Sequence, residues 1–126
     1  MRKFPGILKT ASSVLAIAGS LALFPVTGNA AEAQTASVTD QGKTLAFNRK
    51  KGNCLACHQI AGGKLAGNIG PPLIAMKARY PDKAKLRAQI WDSTQANPNT
   101  IMPPFGRNKI LSESEIDKIV EFIYTL

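Results

Sequence analysis

The sequence predicts an all-α domain of about four to five helices, and three observations support this prediction. Near the end of the chain, Ser112 and Glu115 form a capping box, and the apolar residues after it recur at the spacing of one helix face. These apolar residues are Ile116, Ile119, Val120, Ile123 and Tyr124. No segment shows the strict alternation of a half-buried strand. Stretches rich in glycine, proline or asparagine, residues 62–70 and 95–108, separate the helical segments as loops.

The first helix is predicted over residues 40–49. Asp40 is a suitable N-cap, and Leu45 and Phe47 are the candidate apolar contacts of this helix. The polar residues before it, 31–39, are predicted to form a flexible N-terminal segment. The folded domain is therefore expected to span residues 40–126.

The two middle helices are marked by prolines. One helix is predicted to follow Pro71 and Pro72, because proline is tolerated in the first turn of a helix and not further in. Its apolar residues are Leu73, Met76 and Tyr80. The next helix is predicted to start near Pro81 and Asp82. Its apolar residues are Leu86, Ile90 and Trp91.

Residues 1–30 have the pattern of a cleaved export signal. Positive charges on Arg2, Lys3 and Lys9 precede a run of apolar or small residues from 11 to 24. This run of about fourteen residues falls short of the roughly 20 that a membrane-spanning helix needs. Cleavage is expected after Ala30, with Ala33 as the alternative. The mature protein is therefore expected in the periplasm, without a membrane anchor.

The stretch KGNCLACHQI, residues 51–60, holds both cysteines of the chain and its only histidine. A C-x-x-C pair in an exported protein can be a disulfide, a zinc half-site, a redox dithiol or a haem attachment site. Zinc needs further histidine or cysteine ligands, which this chain lacks. A redox dithiol expects a βαβ setting, and a plain disulfide leaves the histidine unexplained.

Haem attachment explains all three residues, because C-x-x-C-H is the signature of c-type haem. Cys54 and Cys57 would each form a thioether bond to a vinyl group of one porphyrin. His58 would lie at the iron, where a neutral imidazole is a good axial ligand. We therefore expect one covalently bound haem c.

The second axial position has several candidates: a methionine, a lysine, water or a group from a partner. Met1 leaves with the signal, so the methionines that remain are Met76 and Met102. Met102 is favoured because the following Pro103 biases it toward extended backbone, whereas Met76 belongs to a helical apolar pattern.

The chain is basic, with a formal net charge of +8 at neutral pH. Nucleic acid is not expected as a partner, because the protein is exported and has no recognisable binding motif. Positive charges at residues 43–51 and 77–87 would instead speed the encounter with an acidic redox partner.

The sequence resembles the class I monohaem cytochromes c over nearly all of the mature chain. The resemblance consists of the C-x-x-C-H motif, a following Gly70-Pro71 pair, a loop methionine and a final amphipathic helix. More closely, the stretches IGPPL, NPNTIMPPFGRNKILSESEI and VEFIYTL resemble the X subunits of the Sox sulfur-oxidation cytochromes. The run over residues 97–116 is the specific part of this resemblance.

The resemblance implies a class I cytochrome c fold, with the helices packed around one covalently bound haem. It assigns His58 as the proximal ligand and Met102 as the distal ligand, and the backbone carbonyl of Pro71 as the partner of the second ring nitrogen of His58. It also places Gly42 where the first and last helices cross closely. For Trp91 it leaves two roles open, a hydrogen bond to a haem propionate and the anchoring of the core.

The Sox resemblance implies the electron-transfer subunit of a heterodimer. Its partner would be a second, catalytic cytochrome subunit, and the pair would join thiosulfate to a cysteine of a carrier protein, an L-cysteine S-thiosulfotransferase type of reaction. This chain would carry no substrate-catalytic site, because haem takes up both of its cysteines. Electrons would pass to a downstream acceptor. The alternative is a free-standing soluble cytochrome c that carries electrons to an oxidase or reductase.

Overall fold

A computed structural model describes residues 36–126, and these residues form four α-helices and two short 3₁₀ turns. The helices are α1 (Val38–Phe47), α2 (Met76–Arg79), α3 (Lys83–Trp91) and α4 (Glu113–Ile123). The 3₁₀ turns are Cys54–Ala56 and Ser93–Gln95. No strand occurs within residues 36–126, which confirms the all-α prediction. The predicted signal over residues 1–30 lies outside the described residues.

Helix α1 begins earlier than predicted. Its N-cap is Ser37, whose Oγ accepts a hydrogen bond of 3.1 Å from the backbone N–H of Asp40. The prediction of Asp40 as the cap is therefore wrong: Asp40 lies in the first turn, where its carboxylate accepts a hydrogen bond of 2.7 Å from the Ser37 hydroxyl. Val38, which was assigned to the flexible segment, is helical. A serine followed three residues later by a carboxylate is a local signal for this start.

The close contact between α1 and α4 is made through a small residue. A side chain at Gly42 would overlap the backbone carbonyl of Lys118 on α4. The buried positions of α1 are accordingly Gly42 and Ala46, whereas Leu45 and Phe47 are only partly buried at the edge of the core. The Phe47 ring packs edge-to-face on Phe122, with ring centroids 5.8 Å apart.

We expect Gly42→Ala to lower the free energy of unfolding by about 2 kcal/mol, because the overlap with α4 outweighs the roughly 1 kcal/mol that alanine gains in helix propensity. Urea unfolding of the purified protein measures this change. Lys43→Ala, at the adjacent exposed position of the same helix, should be close to neutral. A Gly42→Ala protein as stable as the wild type would show that the two helices can separate without cost.

The helix predicted to follow Pro71 and Pro72 is present but shorter than expected, because α2 covers only Met76–Arg79 and leaves Leu73 and Tyr80 outside it. The residues before it make hydrogen bonds to distant parts of the chain instead. The N–H of Leu73 donates to the carbonyl of Gln59 over 2.9 Å, and the carbonyl of Pro72 accepts from the Arg79 side chain over 2.8 Å. These bonds hold the segment in a non-helical course along the residues that follow the C-x-x-C-H motif.

Helices α3 and α4 agree with the prediction. Asp82 caps α3 through a 2.9 Å bond from the N–H of Ala84, and Leu86 and Ile90 are buried. Ser112 and Glu115 form the predicted capping box at the start of α4. The buried residues of α4 are Ile116, Ile119, Val120, Phe122 and Ile123. Leu86 and Ile90 of α3, together with Ile119 and Ile123 of α4, line the cavity described below.

The carboxylates of α4 are all paired with cations. The pairs are Glu113 and Asp117 with Arg87, Glu115 with Lys51, and Glu121 with Lys83. Two of these cations lie on α3, so the ion pairs fix α3 against α4. Lys51 lies next to the C-x-x-C-H motif, and its hydrogen bond lowers the pKa of the Glu115 carboxyl below its usual range.

Candidate functional site

A cavity of about 600 Å³ lies between the C-x-x-C-H segment, the loop that carries Met102, and helices α2, α3 and α4. The predicted site residues Cys54, Cys57, His58, Pro71 and Met102 all line it. Much of the remaining wall is apolar. It includes Leu73, Leu86, Ile90, Phe105, Leu111, Ile119 and Ile123. The structure therefore gathers predicted site residues that are up to 48 positions apart in the sequence around one apolar space.

The two cysteines are presented by the 3₁₀ turn Cys54–Ala56. The N–H groups of Cys57 and His58 both donate to the carbonyl of Cys54, over 3.2 and 2.9 Å. Neither cysteine is bridged to the other. Burial raises the pKa of the Cys54 thiol to about 11, so this thiol is protonated at neutral pH. A redox-active dithiol needs a thiolate, so this environment does not suit one.

His58 is held in a defined orientation. Its Nδ1 lies 2.7 Å from the backbone carbonyl of Pro71. Because a carbonyl can only accept, Nδ1 carries the proton in this hydrogen bond, and Nε2 keeps a lone pair that can bind a metal. A side chain at Gly70 would overlap the imidazole ring, so the absence of a side chain there lets the Gly70-Pro71 segment approach the ring.

Both candidate methionines line the cavity, in different settings. Met76 is 2 % exposed on α2, and its sulfur lies 3.5 Å from the Arg79 guanidinium. Met102 is half-buried on the loop between the second 3₁₀ turn and α4, and its sulfur lies 4.0 Å from the side-chain amide of Gln89. Gln89 was not predicted as a site residue. The signal that could have indicated it is a polar residue on the face of α3 that also carries Leu86 and Ile90.

Trp91 anchors the loop that carries Met102. Its ring packs against Gly106, where a side chain would overlap it, and the Arg87 guanidinium lies 5.6 Å from the ring centroid. The Trp91 carbonyl accepts from the N–H groups of Gly106 and Arg107. These contacts, together with its packing against the core, show Trp91 in the anchoring role.

The residues around the cavity fit a haem c. The space is bounded largely by apolar side chains, and it presents two unbridged thiols, one imidazole of defined tautomer and a thioether. Residues 36–126 contain no cluster of three or more histidine, cysteine or acidic side chains of the kind that holds a zinc ion. No helix within the same residues is both long and apolar enough to cross a membrane.

Comparisons with known proteins agree with this fit. The family model described as Cytochrome c matches residues 39–126. Among solved structures, a chain of SoxXA from P. pantotrophus is similar, with 26 % sequence identity and a TM-score of 0.63. The similarity covers 69 % of this chain and 80 % of that chain. No curated protein matches the sequence.

Proposed function

This chain belongs to the cytochrome c family, and on that premise we propose that it is the electron-transfer subunit of a periplasmic, heterodimeric, sulfur-oxidising cytochrome complex. The class I cytochrome c fold makes it an electron-transfer cytochrome, and the family implies a covalently bound haem c. When bound, haem c supplies a one-electron couple between ferric and ferrous iron. The observation that supports the Sox assignment is the similarity to SoxXA.

In this proposal the chain binds one haem, and each site residue has a distinct task. Cys54 and Cys57 hold the porphyrin covalently, and His58 binds the iron through Nε2. The carbonyl of Pro71 keeps the proton on Nδ1 and fixes the direction of the ring. Met102 would hold the iron through its sulfur as the second protein ligand. Histidine–methionine ligation raises the reduction potential relative to ligation by nitrogen alone, which suits an acceptor of electrons.

The sulfur chemistry is proposed to take place on the partner subunit. A conjugate between thiosulfate and a cysteine requires a site that binds the sulfur compound, and this chain has no cysteine besides Cys54 and Cys57. Both of these line the cavity, and in this proposal both are bonded to the haem. The role left to this chain is to remove electrons while the partner and the carrier protein form the bond.

A free-standing electron carrier is the second candidate, and the charge at the mouth of the cavity favours it. Arg49 and Lys50 are exposed and line the cavity, and within residues 36–126 neither has a carboxylate at ion-pair distance. Unpaired cations at this place attract acidic redox partners of many kinds, in a way that salt screens.

Reduction of the haem by thiosulfate distinguishes the Sox subunit from the free-standing electron carrier. We expect the native protein to co-purify with a second haem-containing subunit, and its haem to be reduced when thiosulfate and the carrier protein are added. Absorbance of the reduced haem and the mass of the complex measure these outcomes. A carrier protein whose acceptor cysteine is replaced by serine is the control and should give no reduction. A stable monomer whose haem is not reduced by thiosulfate but is reduced by unrelated electron donors would support the free-standing carrier instead.

A further inference from the structure

The backbone of Met102 is held by hydrogen bonds with side chains rather than with other backbone groups. Its carbonyl accepts a bond of 2.7 Å from the hydroxyl of Ser93, and its N–H donates to the hydroxyl of Thr100 over 3.1 Å. The side-chain amide of Gln89 lies 4.0 Å from its sulfur. Within the described residues, the backbone groups of Met102 make no backbone–backbone hydrogen bond.

The sequence around Met102 explains why side chains are needed. Pro103 and Pro104 follow it directly and have no N–H to donate. The segment therefore cannot be fixed by a regular ladder of backbone bonds. Ser93 is 0 % exposed, so its hydroxyl has no access to water and the bond to Met102 satisfies it. Removing that hydroxyl would leave the partly buried Met102 carbonyl without its donor, which has a cost in free energy.

The two side chains that donate toward Met102, Gln89 and Ser93, are themselves fixed near the C-terminal end of α3. Gln89 lies in the last turn of α3, and Ser93 begins the 3₁₀ turn that follows the non-helical Asp92. Beside them, the buried Asp92 carboxylate accepts from the side chains of Thr94 and Arg107. The N–H of Gly106 donates to the Trp91 carbonyl. Both ends of the loop that carries Met102 are thus tied to the same end of α3.

We propose that Gln89 and Ser93 are positioning residues that hold Met102 at the iron. Ser93 fixes the backbone of Met102, and the amide of Gln89 faces its sulfur. This inference rests on the proposed ligation by Met102. The weak donor at the sulfur orients the thioether, and the short bond at the carbonyl limits how far the loop can move away. Loss of either contact lets an external ligand displace the sulfur more readily.

Imidazole binding to the ferric protein tests the inference, because imidazole competes with the methionine for the iron. We expect Ser93→Ala to raise the affinity for imidazole about tenfold, the effect of losing one buried hydrogen bond. Gln95→Ala is the matched control. Gln95 lies in the same 3₁₀ turn, donates to Asp92 over 3.2 Å and makes no hydrogen bond to Met102, so its variant should bind imidazole as the wild type does.

Gln89→Leu is the second variant, at a half-buried position where folding is less at risk than at Ser93. It should shift the sulfur-to-iron charge-transfer band and raise the affinity for imidazole several-fold. If Ser93→Ala and Gln89→Leu both bind imidazole with the affinity of the wild type, whatever their thermal stability, the inference is wrong. Ligation of the iron by Met102 would not be affected by that result. A wild-type protein without the charge-transfer band would overturn the ligation and the inference together.

Discussion

The double variant Cys54→Ser and Cys57→Ser is expected to contain no covalently bound haem. Serine has nearly the shape of cysteine, but its hydroxyl does not form the thioether bonds that attach the porphyrin. His58 remains in this variant and can bind haem only reversibly. Extraction with acidified acetone should therefore remove the haem completely, and the mass of the polypeptide should be that of the unmodified chain.

Ala56→Ser is the matched control for this variant. Ala56 lies between the two cysteines and is exposed, so the change adds a hydroxyl to the same turn without removing a thiol. This protein should keep its haem through the extraction. If the double variant also retained haem after extraction, the attachment would have to involve another residue, and the interpretation of the C-x-x-C-H motif would be wrong.

The double cysteine variant also tests whether the bound haem stabilises the fold. A cavity of about 600 Å³ lies among the apolar faces of α3 and α4 in a small domain. A domain of this size buries little apolar surface by itself, and small domains commonly depend on a bound group for stability. We therefore expect the variant without haem to lose helical signal in circular dichroism as well as its visible absorbance.

The parts of the fold that the sequence predicts well are specified by local signals. The capping box and apolar face of α4 lie within one continuous segment, and the same holds for Asp82 and the buried residues of α3. The segment after Pro71 was not predicted correctly because its hydrogen-bond partners are distant. The N–H of Leu73 pairs with the carbonyl of Gln59, whereas the pairing of the Pro71 carbonyl with the imidazole of His58 was expected from the family resemblance and not from any local pattern. Nothing local in the sequence indicates such contacts.

The residues of the candidate site are likewise of two kinds: those that a local motif indicates and those that only the fold brings together. The C-x-x-C-H motif identifies Cys54, Cys57 and His58 because one short segment carries all three. The residues that hold Met102 could not be identified, because Gln89 is thirteen positions away and Ser93 nine positions away in the sequence. A polar residue on a helix face and a serine after a helix are common, and only the folded chain brings them to the methionine.

Met102→Ala is expected to abolish the sulfur-to-iron charge-transfer band and to lower the reduction potential. Methionine stabilises ferrous iron better than nitrogen or water ligands do, so its removal favours the ferric state. The decrease should be on the order of 0.1–0.3 V, within the ~0.8 V range that axial ligands span. Optical spectroscopy of the ferric protein and a redox titration measure the two effects.

Met76→Leu is the control that makes this prediction specific, because both methionines line the cavity and burial alone does not choose between them. Leucine conserves the volume of a buried methionine at little cost, so the Met76 variant should keep the band and nearly the wild-type potential. The setting of each sulfur supports this expectation: Met76 is packed on α2 beside Arg79, whereas the Met102 backbone is fixed by two hydroxyl groups. Loss of the band in Met76→Leu, with the band retained in Met102→Ala, would move the ligand to α2.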